Sequence, residues 1–253
     1  MAIQLEFDGR RVLIVAGATG LGHRIAAAFH ELGATVAING PSKPEVEGVI
    51  ASLGGGKRFV AAAGDLTNVR AIGDTVGRAI EGLGGLDVLV CGPAPGSIRP
   101  VDDITEEHWQ GVVTQGPKAA FFVAQACVPA LSMTRGAIVN VASVIGLVGG
   151  PSGAAAYASA SGAMVHMSRM MALELADSGI RVNTVCSAWA EGDSPRTSSI
   201  LGEYICARSP LHRAAAADDC AAAVLYLAAS VSGYTTGAVL VADGGITSGH
   251  YAA

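Results

Sequence analysis

Short apolar runs alternate along the chain with longer segments in which apolar positions recur at helical spacing. An apolar run bounded by glycine or polar residues is typical of a strand buried on both faces of a parallel sheet. The predicted strands cover residues 11–16, 33–39, 58–63, 86–90, 138–143, 180–185 and part of 235–245, and the predicted helices cover 24–32, a segment from Thr67, a pair within 102–131, 158–176 and 215–230. This alternation, without repeats or a long Pro/Gly linker, predicts a doubly wound, Rossmann-like, seven-stranded parallel α/β sheet in a single domain over residues 1–253.

The composition excludes several classes of partner. Hydrophobic residues make up 51% of the chain and charged residues 15%, yet no apolar run reaches the length of about 18 residues that suggests a membrane span. The net charge is −5 and Lys and Arg are scattered singly, so we expect neither nucleic acid nor a membrane as partner. Five cysteines without CxxC spacing, and an N-terminus without an apolar signal core, predict a cytoplasmic protein. No metal site is expected.

A glycine-rich turn separates the first predicted strand from the first predicted helix. It reads Gly17-Ala18-Thr19-Gly20-Leu21-Gly22. Glycines let the backbone approach a pyrophosphate, whose charge is stabilised by the free N–H groups and the dipole of the following helix. The alternative is a tight packing turn that binds no ligand. On the first interpretation, the cofactor-binding residues of the turn are Gly17, Thr19, Gly20, Leu21 and Gly22.

The stretch from Gly136 to Ser161 is the most informative part of the sequence. Its apolar run ends at Ser143, so this hydroxyl should lie where a parallel strand opens onto a ligand crevice, and Tyr157 then begins a long helical pattern. Here the chain resembles the short-chain dehydrogenase/reductase family, in which a strand-end Ser, a Tyr on the next helix and a Lys four residues later polarise a carbonyl. The resemblance implies that Ser143 and Tyr157 are catalytic and that Tyr157 also contacts the cofactor, while Ser161 occupies the place of the Lys.

Other motifs extend the resemblance over nearly the whole chain. TTGAVLVADGG resembles the family's ITG-x-x-x-x-VDGG, and Asp65-Leu66 resembles its adenine-contacting turn, although Asp65 can equally cap the next helix. The segment Cys91-Gly92-Pro93-Ala94 stands where relatives have N-N-A-G, which implies a cofactor contact at Gly92. Gly116 stands where the family has an Asn that holds a proton-relay water, and Pro117 beside it predicts a broken or kinked helix.

The choice of cofactor depends on the end of the second predicted strand. In dinucleotide-binding folds a carboxylate at this point accepts a hydrogen bond from the ribose 2′-hydroxyl, and Asn39-Gly40-Pro41 offers none. Ser42 and Lys43 either reach a 2′-phosphate or belong to a solvated loop. We therefore place Asn39 in the cofactor site and expect NADP or NAD, with the sequence favouring NADP.

The absence of a Lys at position 161 bears directly on catalysis. Position i+4 lies on the same face of a helix as position i, so a Lys there would direct its ammonium toward the Tyr157 hydroxyl. A free tyrosine has a pKa near 10; lowering it to about 7 takes roughly 4 kcal/mol, the energy of a unit charge about 4 Å away at an effective dielectric constant of about 20. His166 and Arg169 lie too far along the helix to replace the Lys, and Lys118 belongs to another predicted helix.

Three functions are compatible with this sequence. The first is a NAD(P)-dependent oxidoreductase that acts on a carbonyl or secondary alcohol of a small-molecule substrate through Ser143 and Tyr157. The second is a non-redox enzyme that uses the same two hydroxyls for elimination, isomerisation or epoxide chemistry, as halohydrin dehalogenases of related fold do. The third is a catalytically inactive subunit, for which the simultaneous changes at positions 116 and 161 are the motivating observation.

Residues 189–209 correspond by position to the substrate lid of relatives. Glu191 and Asp193 in this segment either bind substrate or face solvent as loop charges. No constellation in the segment identifies a substrate.

Two helical segments carry more apolar surface than one face of a sheet needs. The first contains Phe121-Phe122-Val123 and the second follows Tyr157, and in relatives these two helices form the dimer interface. We therefore expect a homo-oligomer, either a tetramer or a dimer. The methionines of the second helix are assigned to core and helix packing, namely Met164, Met167, Met170 and Met171.

Overall fold

A computed structural model of the chain describes residues 5–18, 20–92, 96–188 and 195–249. For residues 195–198 it describes the backbone only. Within these residues, seven strands form one sheet. They are β1 (Arg11–Val15), β2 (Thr35–Gly40), β3 (Phe59–Ala63), β4 (Val88–Cys91), β5 (Ala137–Ser143), β6 (Arg181–Ser187) and β7 (Val239–Ala242). The strand order is β3-β2-β1-β4-β5-β6-β7 and every pairing is parallel, which confirms the predicted doubly wound sheet.

Helices cover both faces of the sheet. They are α1 (Gly20–Glu31), α2 (Lys43–Ser52), α3 (Val69–Leu83), α4 (Glu106–Val113), α5 (Ala119–Thr134), α6 (Ala155–Glu174), α7 (Pro195–Arg208) and α8 (Ala217–Ala228). Successive strand residues point to opposite faces. Leu13 therefore joins a core with α3, α5 and α6, whereas Val12 and Ile14 join a second core with α1 and α8.

The starts of α1 and α3 differ from the sequence prediction, and α2 and α7 lie in segments where no helix was predicted. Helix α1 begins at Gly20 rather than at Arg24, because the glycine-rich turn enters the helix directly. Helix α3 is capped by Asn68, whose side chain accepts a hydrogen bond from the Arg70 amide at 3.1 Å. The alternative that Asp65 caps this helix is therefore wrong.

The predicted break beside Pro117 is present. Helices α4 and α5 are separated by a wide turn over Thr114–Lys118, in which Gly116 is buried and has the non-helical angles φ −95° and ψ −111°. Proline has no N–H to donate to the preceding turn, and this forces the change in path. The turn packs against α6, which carries Tyr157.

The methionines of α6 do not all lie in the core. Met164 and Met171 are buried, but Met170 is 44% exposed, which corrects its assignment to the core. Residues six positions apart, such as 164 and 170, are separated by about 240° around a helix and cannot share a buried face. Among the described helices, none is both long enough and apolar enough to cross a membrane.

Candidate active site

The crevice at the carboxyl ends of β1 and β4 is the point at which the sheet reverses its winding. From β1 the chain proceeds outward to β2 and β3, then returns to add β4 on the other side of β1. The connections that follow adjacent strands leave in opposite directions at such a point and open a crevice. The two connections here are the glycine-rich turn after β1 and the loop that follows β4.

Close backbone packing explains two of the glycines in this crevice. A Cβ on Gly22 would lie 2.2 Å from the Ala16 carbonyl oxygen, and a Cβ on Gly92 would lie 2.5 Å from the Val15 carbonyl oxygen. The Gly92 amide also donates to the Val15 carbonyl at 3.1 Å. These glycines therefore let the first turn of α1 and the loop after β4 pack directly on the carboxyl end of β1. The free N–H groups at the first turn of α1 are donors that fit the pyrophosphate of a dinucleotide.

The other predicted residues of the turn have different placements. Gly17 packs against Ile14 and Ile38, where a Cβ would lie 3.1 to 3.2 Å from their side chains. Gly20 is the first residue of α1, and the Leu21 side chain is buried in the core, so Leu21 offers only its backbone to a ligand. Thr19 lies outside the described residues.

The Asn39 side chain is buried and bonded to the backbone at the end of the neighbouring strand. It is 5% exposed, and its Nδ2 donates to the Ala62 carbonyl at 2.8 Å and to the Gly64 carbonyl at 3.2 Å. The side chain thus joins the carboxyl ends of β2 and β3. It presents no negative charge at the position where a ribose-binding carboxylate would lie.

Asp65 holds the turn that leads from β3 toward α3. Its Oδ1 accepts hydrogen bonds from the Thr67 hydroxyl at 2.6 Å and the Thr67 amide at 2.9 Å, and these bonds lower the pKa of Asp65. Leu66 is buried in the core. The exposed carboxylate of Asp65 therefore stays ionised at neutral pH at the edge of the crevice.

Ser143 and Tyr157 come from adjacent elements of the same core. Ser143 ends β5 opposite Ser187 of β6, and its Oγ lies 3.5 Å from the Ile145 amide. Tyr157 is on the first turn of α6 and is 6% exposed. The short turn Val144–Gly146 connects β5 to the loop before α6 and packs on that helix.

Gly146 sets the distance between this turn and α6. A Cβ on Gly146 would lie 2.8 Å from the Ser161 Cβ and 2.6 Å from the Gly162 amide nitrogen, so only glycine fits. Ser161 itself is 4% exposed. The residue one turn after Tyr157 is therefore small, uncharged and enclosed by the segment that follows Ser143.

Burial makes the cysteine next to the crevice a poor nucleophile. Cys91 is buried at the end of β4, and burial raises the pKa of its thiol to about 12. A thiol with this pKa carries almost no thiolate at neutral pH. The hydroxyls of Ser143 and Tyr157 remain the groups suited to polarising an oxygen.

The described part of the predicted lid, residues 195–209, is mainly α7. Leu201 and Ile205 are buried in the core, and the Tyr204 hydroxyl donates to the Gly149 carbonyl at 2.9 Å. Gly149 lies in the loop before α6, so this bond joins α7 to the segment that leads to Tyr157. Glu191 and Asp193 lie outside the described residues.

One polar contact near this region was not predicted. The Ser97 Oγ lies 2.5 Å from the His108 Nε2, between the loop after β4 and the first turns of α4. The two residues are eleven positions apart and belong to no shared periodic pattern. Only the polar character of the loop after β4 could have indicated them from sequence.

Comparison with known proteins places this geometry among dehydrogenases and reductases. A family model described as Enoyl-(Acyl carrier protein) reductase matches residues 15–247. The chain is 32% identical to meso-2,3-butanediol dehydrogenase of Serratia marcescens, covering 96% of each protein. It is also 32% identical to 3-oxoacyl-[acyl-carrier-protein] reductase FabG of Thermotoga maritima, covering 96% of this chain and 99% of the relative.

A solved structure agrees with these sequence matches. The crystal structure of a short-chain type dehydrogenase/reductase from Mycobacterium marinum superposes with a TM-score of 0.85 at 30% identity. The match covers 96% of this chain and 97% of the other. The similarity therefore extends over the sheet, the crevice and the helix that carries Tyr157.

Proposed function

Because the chain belongs to the short-chain dehydrogenase/reductase family, we propose that it interconverts a carbonyl and a secondary alcohol with NAD(P), using the hydroxyls of Ser143 and Tyr157. The observation that carries the proposal is the packing of Gly146 on Ser161 and Gly162. This contact holds the segment after Ser143 against the helix that presents Tyr157. The printed names of the relatives, a diol dehydrogenase and an oxoacyl reductase, support this reaction class.

The two hydroxyls have distinct tasks in this proposal. A bound dinucleotide supplies the hydride for reduction and takes it in oxidation. The Tyr157 hydroxyl donates a proton to the carbonyl oxygen during reduction and receives it back during oxidation. The Ser143 hydroxyl donates a hydrogen bond to the same oxygen and orients it.

The active site is atypical at two positions. Ser161 carries no charge to stabilise the phenolate that forms when Tyr157 gives up its proton, and Gly116 has no side chain to hold a relay water. General acid–base contributions are typically worth about 10²- to 10⁴-fold in rate. We therefore propose that the enzyme works below the rate that a Lys at 161 would permit.

NADP is the cofactor that the end of β2 favours. No carboxylate is present at Asn39, while Ser42 and Lys43 form the N-terminus of α2, which follows β2 directly in the chain. The Ser42 Oγ accepts from the Glu45 amide at 3.5 Å, and the Lys43 Nζ lies 3.6 Å from Glu47 in an exposed ion pair. A 2′-phosphate can compete for Lys43 because such surface pairs contribute about 0–1 kcal/mol.

We also propose a cytoplasmic homo-oligomer. All five cysteines are free thiols, which suits a reducing compartment. The outer faces of α5 and α6 expose apolar side chains that association would cover. These are Phe121, Met133, Met170 and Leu173.

The direct test is turnover of NADPH or NADH against a panel of ketones, with the alcohol product quantified. Equal amounts of oxidised cofactor and alcohol, with NADPH preferred, would support the proposal. Cofactor binding without product would favour an inactive subunit. No binding of either cofactor would favour the non-redox alternative.

A further inference from the structure

A pocket of about 460 Å³ lies between the loop after β4 and the exposed side of α4. This volume is within the range of about 300 to 1,000 Å³ in which proteins bind small molecules. Its polar lining consists of Ser97, Arg99, Thr105, Glu107, His108 and Gln115. None of these side chains has a role in the proposed hydride transfer.

Residues that line the pocket contact the segment around Tyr157 at two points. Val112, which lines it, packs against Ala156 and Ala160 on either side of Tyr157 in sequence. The Arg99 amide donates to the Gly153 carbonyl at 2.9 Å, four residues before Tyr157. The pocket is therefore built on the same helix and loop as the candidate catalytic tyrosine.

His108 is fixed at the base of this pocket. Its amide donates to the Thr105 Oγ1 at 3.2 Å, which caps α4, and its Nε2 shares a hydrogen bond with the Ser97 Oγ. Its Nδ1 is buried and has no partner among the described residues. Because this nitrogen is buried, a ligand in the pocket would meet the exposed side chains around His108 rather than Nδ1 itself.

Three other side chains in the lining are exposed and can exchange bound water for a ligand. In the part of the chain that the structure describes, Arg99, Glu107 and Gln115 make no side-chain hydrogen bond or ion pair. Arg99 only donates, Glu107 only accepts when ionised, and Gln115 does both. The formal charges of Arg99 and Glu107 cancel, so the lining has no net attraction for an anion.

From this arrangement we propose that the pocket is a binding site for a neutral compound with several hydroxyl groups, such as a polyol. A hydroxyl both donates and accepts, so several of them can satisfy the mixed donors and acceptors of Arg99, Glu107 and Gln115. A carboxylate would satisfy Arg99 but would face Glu107. The proposal does not depend on the redox reaction, because binding can be measured without a cofactor.

Gly111 offers a way to close the pocket without disturbing the fold. It lines the pocket at the middle of α4, and a Cβ placed on it meets no heavy atom within 4 Å. A leucine at this helical position extends into open space and has a higher helix propensity than glycine. Gly77 of α3 is a matched control, since its Cβ position is also open and it does not line this pocket.

The experiment is calorimetric titration of the wild type, Gly111→Leu and Gly77→Leu with sorbitol and with gluconate, after thermal melts show that all three are folded. We expect saturable binding of sorbitol to the wild type and to Gly77→Leu, and binding about tenfold or more weaker to Gly111→Leu. A second variant, Arg99→Ala, removes an exposed side chain and should weaken sorbitol binding in the same way. Absence of saturable sorbitol binding, equal binding by Gly111→Leu, or tighter binding of gluconate than of sorbitol would overturn the proposal.

Discussion

Gly146 and Ser161 are in direct contact, with the Cβ position of Gly146 only 2.8 Å from the Cβ of Ser161. The turn after Ser143 therefore packs against α6 at Ser161, which lies one helical turn after Tyr157. Ser161 is 4% exposed, so the position where the family has a Lys is enclosed between two elements that carry the candidate hydroxyls. A cation introduced at 161 would therefore act in a site with little water, where electrostatic effects are strong.

The first prediction concerns this position. Ser161→Lys should raise carbonyl reduction by about 10²- to 10³-fold, because the ammonium stabilises the phenolate formed when Tyr157 donates its proton. Initial rates of NADPH oxidation with a ketone panel measure the effect. Adding Gly116→Asn to this variant tests whether a proton relay increases the rate further.

Ser161→Met is the matched control, because it adds a chain of similar bulk without charge. It should leave the rate unchanged or lower it. If Ser161→Lys and Ser161→Met have the same rate, the missing charge does not limit this enzyme. A wild type that already reduces ketones at ordinary rates would lead to the same conclusion.

The second prediction tests the cofactor crevice. Gly20→Asp should abolish dinucleotide binding, because it puts a carboxylate at the first residue of α1, where the pyrophosphate is expected. An acidic residue is favourable at a helix N-terminus, so the variant should keep the stability of the wild type. Fluorescence titration with NADPH gives the affinity.

The control for Gly20→Asp is Gly77→Asp, which introduces the same charge on α3, where a Cβ meets nothing within 4 Å. It should bind NADPH as the wild type does. Unchanged affinity in Gly20→Asp would place the cofactor elsewhere.

The third prediction is that Asp87, at the amino end of the sheet, makes the free energy of unfolding decrease in acid. Burial by itself raises the pKa of Asp87, but the hydrogen bond from the Arg11 side chain at 2.7 Å and that from the Arg11 amide outweigh it, so the net pKa is lowered. A depressed folded-state pKa contributes stability that is complete above about pH 4 and is lost as the pH falls through the folded value. Asp87→Asn should lower the free energy of unfolding at pH 7 by roughly 2–3 kcal/mol and flatten its decline in acid.

Urea unfolding at pH 7 and pH 3 measures this prediction. Asp218→Asn is the control, because that carboxylate pairs with Arg24 but its side chain is 70% exposed. Its effect should be at most about 1 kcal/mol. Equal losses in the two variants would contradict the special role of Asp87.

The fourth prediction concerns assembly. Leu173 is 73% exposed on α6, and Leu173→Glu should shift the protein toward monomer because it puts a charge in the proposed helical interface. Light scattering at micromolar concentration gives the mass. Val101→Glu alters an equally exposed residue, 72% exposed, outside α5 and α6, and should have no effect. A monomeric wild type would refute the proposed oligomer.

The sheet could be predicted because each buried parallel strand corresponds to a short apolar run in the sequence. The position of Ser143 followed from the same pattern, since a polar residue directly after such a run lies at the carboxyl end of a strand. The start of α1 at Gly20 could not be predicted from periodicity. Glycine is a poor helix former, and at Gly22 it is required by the close approach of the helix to the Ala16 carbonyl, which only the folded structure shows.

Contacts between elements account for the other differences. The hydrogen bond between Ser97 and His108 depends on how a loop lies against a helix, and no local pattern encodes it. Asn68 directly precedes α3 and caps it, whereas Asp65 accepts hydrogen bonds from Thr67, and only the folded turn shows this division of roles. Glu191 and Asp193 lie outside the described residues, so their assignment stays a prediction.

The most direct test of the proposed reaction is the rate of ketone reduction by Tyr157→Phe relative to the wild type at saturating NADPH. We expect the wild type to form alcohol, and we expect loss of the Tyr157 hydroxyl to lower kcat by about 10²-fold or more while NADPH still binds. Tyr226→Phe, which removes a hydroxyl from an exposed residue of α8, should leave kcat unchanged. Equal rates for the wild type and Tyr157→Phe would contradict the catalytic role of Tyr157, and no alcohol from a wild type that binds NADPH would contradict the proposed reaction.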